Sequence, residues 1–295
     1  MAVKDNNEFL DQCILSILKQ SYKKFIFIII DDAAKKKVKE KIQFYRDKDK
    51  KIKIIKNKKN QGLTISLIKA INHAKSKFIA RIDSDDFCHP DRIKKQMEWI
   101  QKSNKRVLCG SNYFLIKKKY YFKKNILSGY KKIKRNILFK NCFVHSSTLF
   151  RYKAYKTVGG YNPKFKYSQD YDLWSRLSNI GVVDNLNERL TYIRDQKKSV
   201  SNLKKNEQTI NSIIISCNNF HYSKKMKFFK IFKDYRKNLK YIKSLKFLSN
   251  FYNSIVFLNR KKLKKNFYIK IHELNWESLT MCLRQPKMFI YTLIS

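Results

Sequence analysis

Clustered carboxylates are the part of this sequence whose residue types and spacing could do chemistry. Asp83, Asp85 and Asp86 directly follow an apolar run over residues 78–82. Placing several carboxylates at the end of a buried strand is costly unless something compensates their charge. A hard divalent cation such as Mg²⁺ or Mn²⁺ takes oxygen ligands and often bridges to a phosphate. The spacing therefore predicts a metal site for a phosphate-bearing substrate.

Two further aspartates, Asp31 and Asp32, could belong to the same site, because they end a second apolar run, residues 25–30. Separately, Asp170 stands near the start of a predicted helix. Aspartate also caps helices and turns well, so Asp31 and Asp32 have an equally simple local explanation. The presence of a second acidic strand end favours the shared site.

The elements that must position these acids alternate along the chain. Apolar periodicity and continuous apolar runs predict, in order, a helix over 8–20, a strand over 25–30, a helix over 35–46, a strand over 51–56, a turn at 60–62, a helix to 74 and a strand over 78–82. Such alternation predicts an α/β fold with a parallel sheet. Ligands of such sheets bind beyond the carboxyl ends of the strands, where both acid groups stand.

The chain changes character near residue 200. Residues 201–270 contain 18 Lys and Arg against two acids, with apolar residues at helical spacing. We therefore predict one domain over 1–200 and a basic, mainly helical extension over 201–295. The extension could be a solvated surface, or it could bind an anionic membrane surface, which we favour.

The composition bounds the class of protein. The net charge is +45 and the six cysteines are widely spaced. Abundant Lys, Asn, Ile, Phe and Tyr together indicate compositional bias as the larger cause of the charge, although an anionic partner remains compatible with it. The cysteine spacing predicts neither a zinc site nor a disulfide framework. Without a secretory signal or a membrane-spanning apolar run, we expect a cytoplasmic protein.

Several motifs in this order resemble family 2 glycosyltransferases of the GT-A fold. The resemblance covers residues 2–200 and rests on the segments at 18–22 (LKQSY), 28–32 (IIIDD), 60–63 (NQGL), 79–86 (IARIDSDD), 90–92 (PDR), 145–151 (HSSTLFR), 159–161 (GGY) and 169–174 (QDYDLW). A lone D-x-D sequence is weak, but the motif order is specific. The resemblance implies a Rossmann-like mixed sheet flanked by helices, and a nucleotide-sugar substrate.

The resemblance also implies a role for each donor-side residue. Asp85 matches the direct ligand of Mn²⁺ or Mg²⁺, with Asp83 holding the ribose and supporting the metal. Asp32 matches the nucleobase contact, and Asn60 and Gly62 match the nucleotide-sugar-binding turn.

On the acceptor side, Asp170 matches the catalytic base that removes a proton from the attacking hydroxyl. His145 and Arg151 match positions near the donor phosphates or the acceptor. One base and direct displacement imply inversion at the anomeric carbon.

These likenesses imply an inverting glycosyltransferase that uses a nucleoside diphosphate sugar donor and a saccharide or lipid-linked acceptor. They place it in surface polysaccharide or glycolipid synthesis, peripheral on the inner face of the cytoplasmic membrane. The alternative within the fold is a truncated, inactive relative that only binds nucleotide or membrane. A basic nucleic-acid-binding protein is a weaker alternative, because no recognised nucleic-acid motif is present and clustered acids repel phosphates.

The chain departs from the family pattern in two places that concern the fold. The strand that opens the family pattern is expected to be missing, because residues 1–10 match only its tail. Ala33 and Ala34 stand where the family has Gly-Ser. We also interpret Asp86 and Asp91 as local caps rather than metal ligands.

Overall fold

The computed structural model describes residues 1–5, 8–138 and 140–196, and, beyond them, residues 204, 207–209, 211–212, 214–216 and 219. Residues Met1–Leu203 group into one compact unit. The predicted boundary near 200 and the predicted helices of 201–295 stay predictions, because most of that segment lies outside the described residues.

Helices and strands alternate over residues 10–80, as the sequence predicts. The strands are β1 (Ala2–Val3), β2 (Phe27–Asp31), β3 (Ile52–Lys56), β4 (Phe78–Ala80), β5 (Phe87–Cys88), β6 (Arg106–Lys117), β7 (Tyr120–Lys124), β8 (Leu149–Arg151) and β9 (Val182–Arg194). The helices are α1 (Leu10–Leu18), α2 (Lys36–Lys48), α3 (Leu63–His73), α4 (Arg92–Gln101), α5 (Tyr130–Asn136), α6 (Tyr152–Thr157) and α7 (Gln169–Ile180).

The first sheet is parallel, in the order β1-β2-β3. Its central strand β2 is nearly all buried, which explains why its sequence is a continuous apolar run rather than an alternating one. One side of α1 packs into the same core through Leu10, Cys13, Ile14 and Ile17. The α/β architecture predicted from the sequence is confirmed.

The expectation that the first strand is missing is wrong. Ala2 and Val3 pair in parallel with Ile30 and Asp31 of β2. The pairing continues on both sides, since Ile30 N–H donates to Met1 O and Asp32 N–H donates to Val3 O. The strand is present but spans two residues.

The second sheet is mixed, in the order β4-β8-β6-β9-β5, with β7 paired to β6 outside that order. The long strands β6 and β9 run parallel to each other, and β8 pairs antiparallel with both β4 and β6. Strands β6, β7 and β8 therefore supply most of the framework of this sheet.

A cavity of about 180 Å³ lies between β2 and β4. Met1, Phe27 and Ile28 contribute to one side of it, and Phe78 and Ile79 to the other. Because β1 is short, it pairs only with β2 and leaves β4 paired on one side, to β8. β4 is therefore only partly buried, and not the fully covered strand that its sequence predicted.

Arg92 joins the end of β4 to β8. This fully buried residue donates from Nη2 to the carbonyl oxygens of Arg81, at 2.7 Å, and Thr148, at 3.1 Å. Carbonyl groups that leave a sheet inside a protein need such partners. Arg92 thereby fixes the segment that carries the acid cluster. Asp91, expected to cap, occupies the N-cap position of α4 without a side-chain cap hydrogen bond.

Among the described residues, no helix is both long and apolar enough to span a bilayer.

Candidate active site

Three carboxylates meet where the chain leaves β4. One oxygen from each of Asp83, Asp85 and Asp86 lies within 4.8 Å of the other two, and we call these residues the acid triad. Asp83 and Asp85 are partly exposed, whereas Asp86 is buried. Oxygen ligands at this separation are what a divalent cation requires, so the triad could hold a metal ion.

The carboxylates of the acid triad crowd one another in a partly buried place. Burial, and next the charge of Asp83, raises the pKa of Asp85 to about 6. Burial, with Asp83 and Asp85 as neighbours, raises the pKa of Asp86 to about 8. Like charges that crowd in a desolvated place resist ionisation together, and a cation relieves that repulsion. The donor set therefore fits Mn²⁺ or Mg²⁺ chemically.

Asp86 is not a local cap, contrary to the sequence interpretation. Its Oδ1 accepts the backbone N–H of Arg194 at 3.1 Å, and its Oδ2 bonds with the hydroxyl of Ser146. Both partners are distant in sequence, so no local pattern could have revealed them. Since both oxygens of Asp86 are engaged, Asp85 has the more available carboxylate for a ligand.

Arg81 and Ser146 hold Asp83. The buried guanidinium of Arg81 forms an ion pair with Asp83 and donates to Ser146 Oγ at 3.0 Å. Ser146 Oγ also accepts the backbone N–H of Asp83 at 3.0 Å and lies 3.2 Å from its Oδ2. Arg81 and Ser146 both belong to motifs of the family pattern, but the sequence predicted no role for either. The one feature that could have pointed to Arg81 is its position, as an arginine at the end of an apolar strand.

Arg194 covers the other side of the acid triad. Its guanidinium donates to the backbone carbonyl of Asp85 and to Gln12 Oε1. It also lies over two aromatic rings, 3.9 Å from the centroid of Phe9 and 5.1 Å from that of Phe87. This placement leaves the Asp85 carboxylate free of an arginine ion pair among the described contacts.

Asp32 differs from the acid triad, because neutral hydrogen-bond donors surround its carboxylate. Its buried carboxylate accepts three hydrogen bonds, from Asn57 Nδ2 at 2.8 Å and from the backbone N–H groups of Gln61 at 2.8 Å and Gly62 at 2.9 Å. Asn60 supports the same turn, since its Oδ1 accepts the Gly62 N–H at 3.0 Å. Gly62 has a φ of 82°, which glycine adopts without strain, and it occupies the N-cap position of α3.

Asp170 lies in the first turn of α7, where Asn141 Nδ2 donates to its Oδ2 at 2.8 Å. Burial raises the pKa of Asp170, although its hydrogen bonds and the charge of Arg81 oppose the effect. Both Asp170 and Asp83 act on buried Tyr161, whose pKa is raised chiefly by burial. Asp170 and the acid triad thus belong to one electrostatic neighbourhood, linked by Arg81 and Tyr161.

His145 belongs to the aromatic packing beside this neighbourhood. Its Nε2 lies 2.7 Å from the Tyr161 hydroxyl, and its ring contacts those of Tyr161 and Trp174. Burial and the charge of Arg81 lower the pKa of His145 well below its ordinary value, so the ring is neutral at physiological pH. A neutral imidazole here bonds with the Tyr161 hydroxyl and adds no positive charge.

Arg151 is not brought to the acid triad. It pairs with Phe78 at the start of β4, and the triad follows the other end of that strand. Its guanidinium donates to the backbone carbonyls of Ile100, Ser103 and Arg106, which secures the end of α4.

Comparison with known proteins identifies the family. The family model for glycosyl transferase family 2 matches residues 1–159, more than half of the chain. The chain belongs to glycosyl transferase family 2. An uncharacterized glycosyltransferase of Methanocaldococcus jannaschii is 35% identical over 173 residues, which are 57% of this chain and 59% of that protein. The O-antigen biosynthesis glycosyltransferase WbnJ of Escherichia coli is 33% identical over 204 residues, 68% of this chain and 79% of WbnJ.

Solved structures agree on the fold of this family 2 chain. A fragment of Staphylococcus aureus TarS in complex with UDP-GlcNAc superposes with a TM-score of 0.58 at 14% identity, covering 72% of this chain and 65% of that one. The mannosyltransferase PcManGT of Pyrobaculum calidifontis, in complex with GDP-Man and Mn²⁺, superposes with a TM-score of 0.56 at 9% identity, covering 74% and 63%. The matched region is thus less than two thirds of the length of either solved chain, and of the M. jannaschii relative. The GT-A fold implied by the sequence motifs is confirmed.

Proposed function

We propose that this protein is a metal-dependent, inverting glycosyltransferase that moves a sugar from a nucleoside diphosphate sugar to a hydroxyl of a saccharide or lipid-linked acceptor. The observation that carries the proposal is the acid triad, in which three carboxylates lie within 4.8 Å of one another and burial raises the pKa of Asp85 and Asp86. Family membership supports the reaction class, and the role of WbnJ in O-antigen biosynthesis supports surface polysaccharide or glycolipid assembly.

The donor end of the site needs a place for a diphosphate. Asp85 and Asp83 would hold Mn²⁺ or Mg²⁺, consistent with the Mn²⁺ and GDP-Man bound by PcManGT. When bound, the metal neutralises the departing diphosphate as a Lewis acid. Arg81 and Ser146 keep Asp83 in place, and Asp86 keeps the backbone of Arg194 against the triad. Asp32 with the Asn60–Gly62 turn is proposed to border the nucleotide.

The acceptor end needs a base. Asp170 carries a pKa that burial raises above that of a free aspartate, so it is a stronger base than an exposed carboxylate. The hydrogen bond from Asn141 fixes its orientation. A proton passing from the acceptor hydroxyl to Asp170 as that oxygen attacks the anomeric carbon gives a single displacement, and hence inversion. His145, being neutral, is proposed to position Tyr161 beside this base.

Binding of nucleotides by the full chain tests the proposal directly. We expect UDP or GDP to bind with Mn²⁺ and much more weakly without it, measured by calorimetry. Asp85→Asn should remove the metal dependence, whereas Asp91→Asn, a nearby acid at the N-cap of α4, should keep it. If no nucleoside diphosphate binds in the presence of metal, or if Asp85→Asn binds as the parent does, the proposal is wrong.

A further inference from the structure

The two most exposed large apolar residues of the described structure, Tyr120 and Tyr121, lie in one hairpin, far along the chain from the acidic motifs. β6 and β7 pair antiparallel from Tyr113 with Lys124 to Lys117 with Tyr120, and Lys118 and Lys119 form the turn. Within the described sheets, β7 pairs with β6 alone and is an edge strand. All residues over 117–125 are exposed. We call residues 117–124 the lysine–aromatic hairpin.

The composition of this hairpin is unusual for a solvent-exposed edge. Tyr120, Tyr121 and Phe122 are 70%, 57% and 45% exposed. The other exposed large apolar residues of the described structure stand singly, so no second run of three adjacent ones occurs there. Scattered exposed apolar residues need no explanation, but a contiguous group marks a surface that something covers.

The hairpin also carries concentrated positive charge. Lysines occupy the five remaining positions, Lys117, Lys118, Lys119, Lys123 and Lys124. Lys117 pairs with Asp195 at 2.9 Å, and within the described structure no ion pair involves the other four. The sequence has no Asp or Glu between Glu98 and Asp170 to offset them. An anionic surface is the complementary partner.

Strand geometry distinguishes between the two main anionic partners that could cover the hairpin, a nucleic-acid strand and a lipid bilayer. Successive side chains of a strand point to opposite faces, so Tyr120 and Phe122 lie on one face of the hairpin and Tyr121 on the other. A single nucleic-acid strand stacks its bases on one face of a platform. The headgroup layer of a bilayer surrounds an inserted hairpin on both faces, and tyrosine and lysine are both favourable there. We propose that the lysine–aromatic hairpin docks this protein on an anionic membrane surface.

Register places the docked hairpin beside the acid triad. Tyr121 pairs with Ile116 of β6, and Ile116 pairs with Arg194 of β9. The backbones of Tyr121 and Arg194 are therefore two strand spacings apart, about 10 Å. Arg194 N–H in turn donates to Asp86 of the acid triad. Docking would hold the triad near the headgroups, within reach of a lipid-linked acceptor, and this last consequence rests on the proposed function.

Vesicle binding by the full chain tests the docking. Wild-type protein should co-sediment with vesicles of phosphatidylcholine containing phosphatidylglycerol, and far less with phosphatidylcholine alone. Lys118→Glu with Lys119→Glu should weaken this binding at least about tenfold. The matched control is Lys37→Glu with Lys39→Glu, which makes the same charge change at exposed positions of α2 and should weaken binding much less.

A local probe separates docking by the hairpin from docking by residues 201–295. Tyr120→Trp should show a blue-shifted indole emission and quenching by brominated lipid when anionic vesicles are added. Phe44→Trp, at a 51% exposed position of α2, should show neither. Equal loss of binding in both lysine variants would overturn the proposal. An unshifted emission from the vesicle-bound Tyr120→Trp protein would overturn it as well.

Two other outcomes also count against docking. If the Lys118→Glu, Lys119→Glu protein keeps full vesicle binding but self-associates, the lysines serve only to protect an edge strand. If it loses retention on single-stranded DNA and not on vesicles, the partner is nucleic acid. Because these measurements need neither donor nor metal, failure of glycosyl transfer would leave the docking result intact.

Discussion

Aspartates stand at two strand ends of this protein, as a pair at β2 and as a cluster after β4. The pair is surrounded by hydrogen-bond donors, whereas the cluster is crowded by its own like charges. At the end of β2, Asp31 Oδ1 accepts the Ala34 N–H at 2.7 Å, and Asp32 accepts three hydrogen bonds, from the Asn57 side chain and from the backbone N–H groups of Gln61 and Gly62. After β4, the acid triad crowds three carboxylates within 4.8 Å.

The difference distinguishes carboxylates that hydrogen bonds already satisfy from carboxylates that could hold a metal ion. The acids after β2 are satisfied by neutral N–H donors, so they fix a turn and need no cation. In the triad, burial and mutual repulsion raise the pKa of Asp85 and Asp86 because the available donors do not compensate the charge. Aspartates that stand at two strand ends of the chain can therefore either hold a turn or remain available to a metal ion.

Asp85→Asn should produce the largest effect on activity. Loss of the most available triad carboxylate should lower turnover of a nucleotide sugar by about a thousandfold or more, because the diphosphate would depart without its counter-charge. The free energy of unfolding at neutral pH should not fall, since a carboxylate with a raised pKa is removed. Steady-state kinetics and urea unfolding measure the two. Activity within about tenfold of the parent would contradict the assignment.

Asp170→Asn should have the next largest effect on activity. It extends the comparison of the two strand ends to a third aspartate, which stands at the start of a helix. Loss of a general base lowers the rate by about 10² to 10⁴. The base works deprotonated, so the rate should fall as the pH decreases through the pKa of Asp170. Because burial raises that pKa, the acid limb of kcat/KM should lie at higher pH than for an ordinary aspartate, and should vanish in the variant. A limb at about pH 4 or below, where an ordinary aspartate titrates, would argue against Asp170.

Asp32→Ala should act on stability first. Its three donors would lose their acceptor, at a cost of about 1–3 kcal/mol in the free energy of unfolding, measured in urea. Asp47→Ala, on the exposed face of α2, is the control and should change little. If Asp32→Ala instead abolishes activity at unchanged stability, Asp32 binds the nucleobase directly, as the family resemblance implies.

Ala33→Gly should give the smallest effect, and a favourable one. Ala33 has a φ of 55°, in the left-handed region that disfavours side chains bearing Cβ. Glycine there should raise the free energy of unfolding by up to about 1 kcal/mol, less the entropy that glycine gains in the unfolded chain. A shift of the urea midpoint to lower concentration would show that the turn after β2 does not hold this strain.

Local pattern was sufficient for the element order around the site. The apolar runs that become β2 and β3, the amphipathic stretches that become α1 and α3, and the start of α7 just before Asp170 all follow from periodicity. β1 was missed because two residues are too few for any pattern. Its pairing becomes visible only beside β2.

Whether each acid stays charged and unpaired was decided by the tertiary structure. Ser146 reaches Asp86 across 60 residues and Arg194 reaches it across 108, so the environment of the triad is absent from any local window. The Arg151 guanidinium donates to a carbonyl group at the end of α4, which lies near it only in the folded chain. The sequence by itself determined which residues could ionise and at which strand ends they stand. Their ligand-binding capacity depends on desolvation and on donors from distant segments, which exist only once the sheets have assembled.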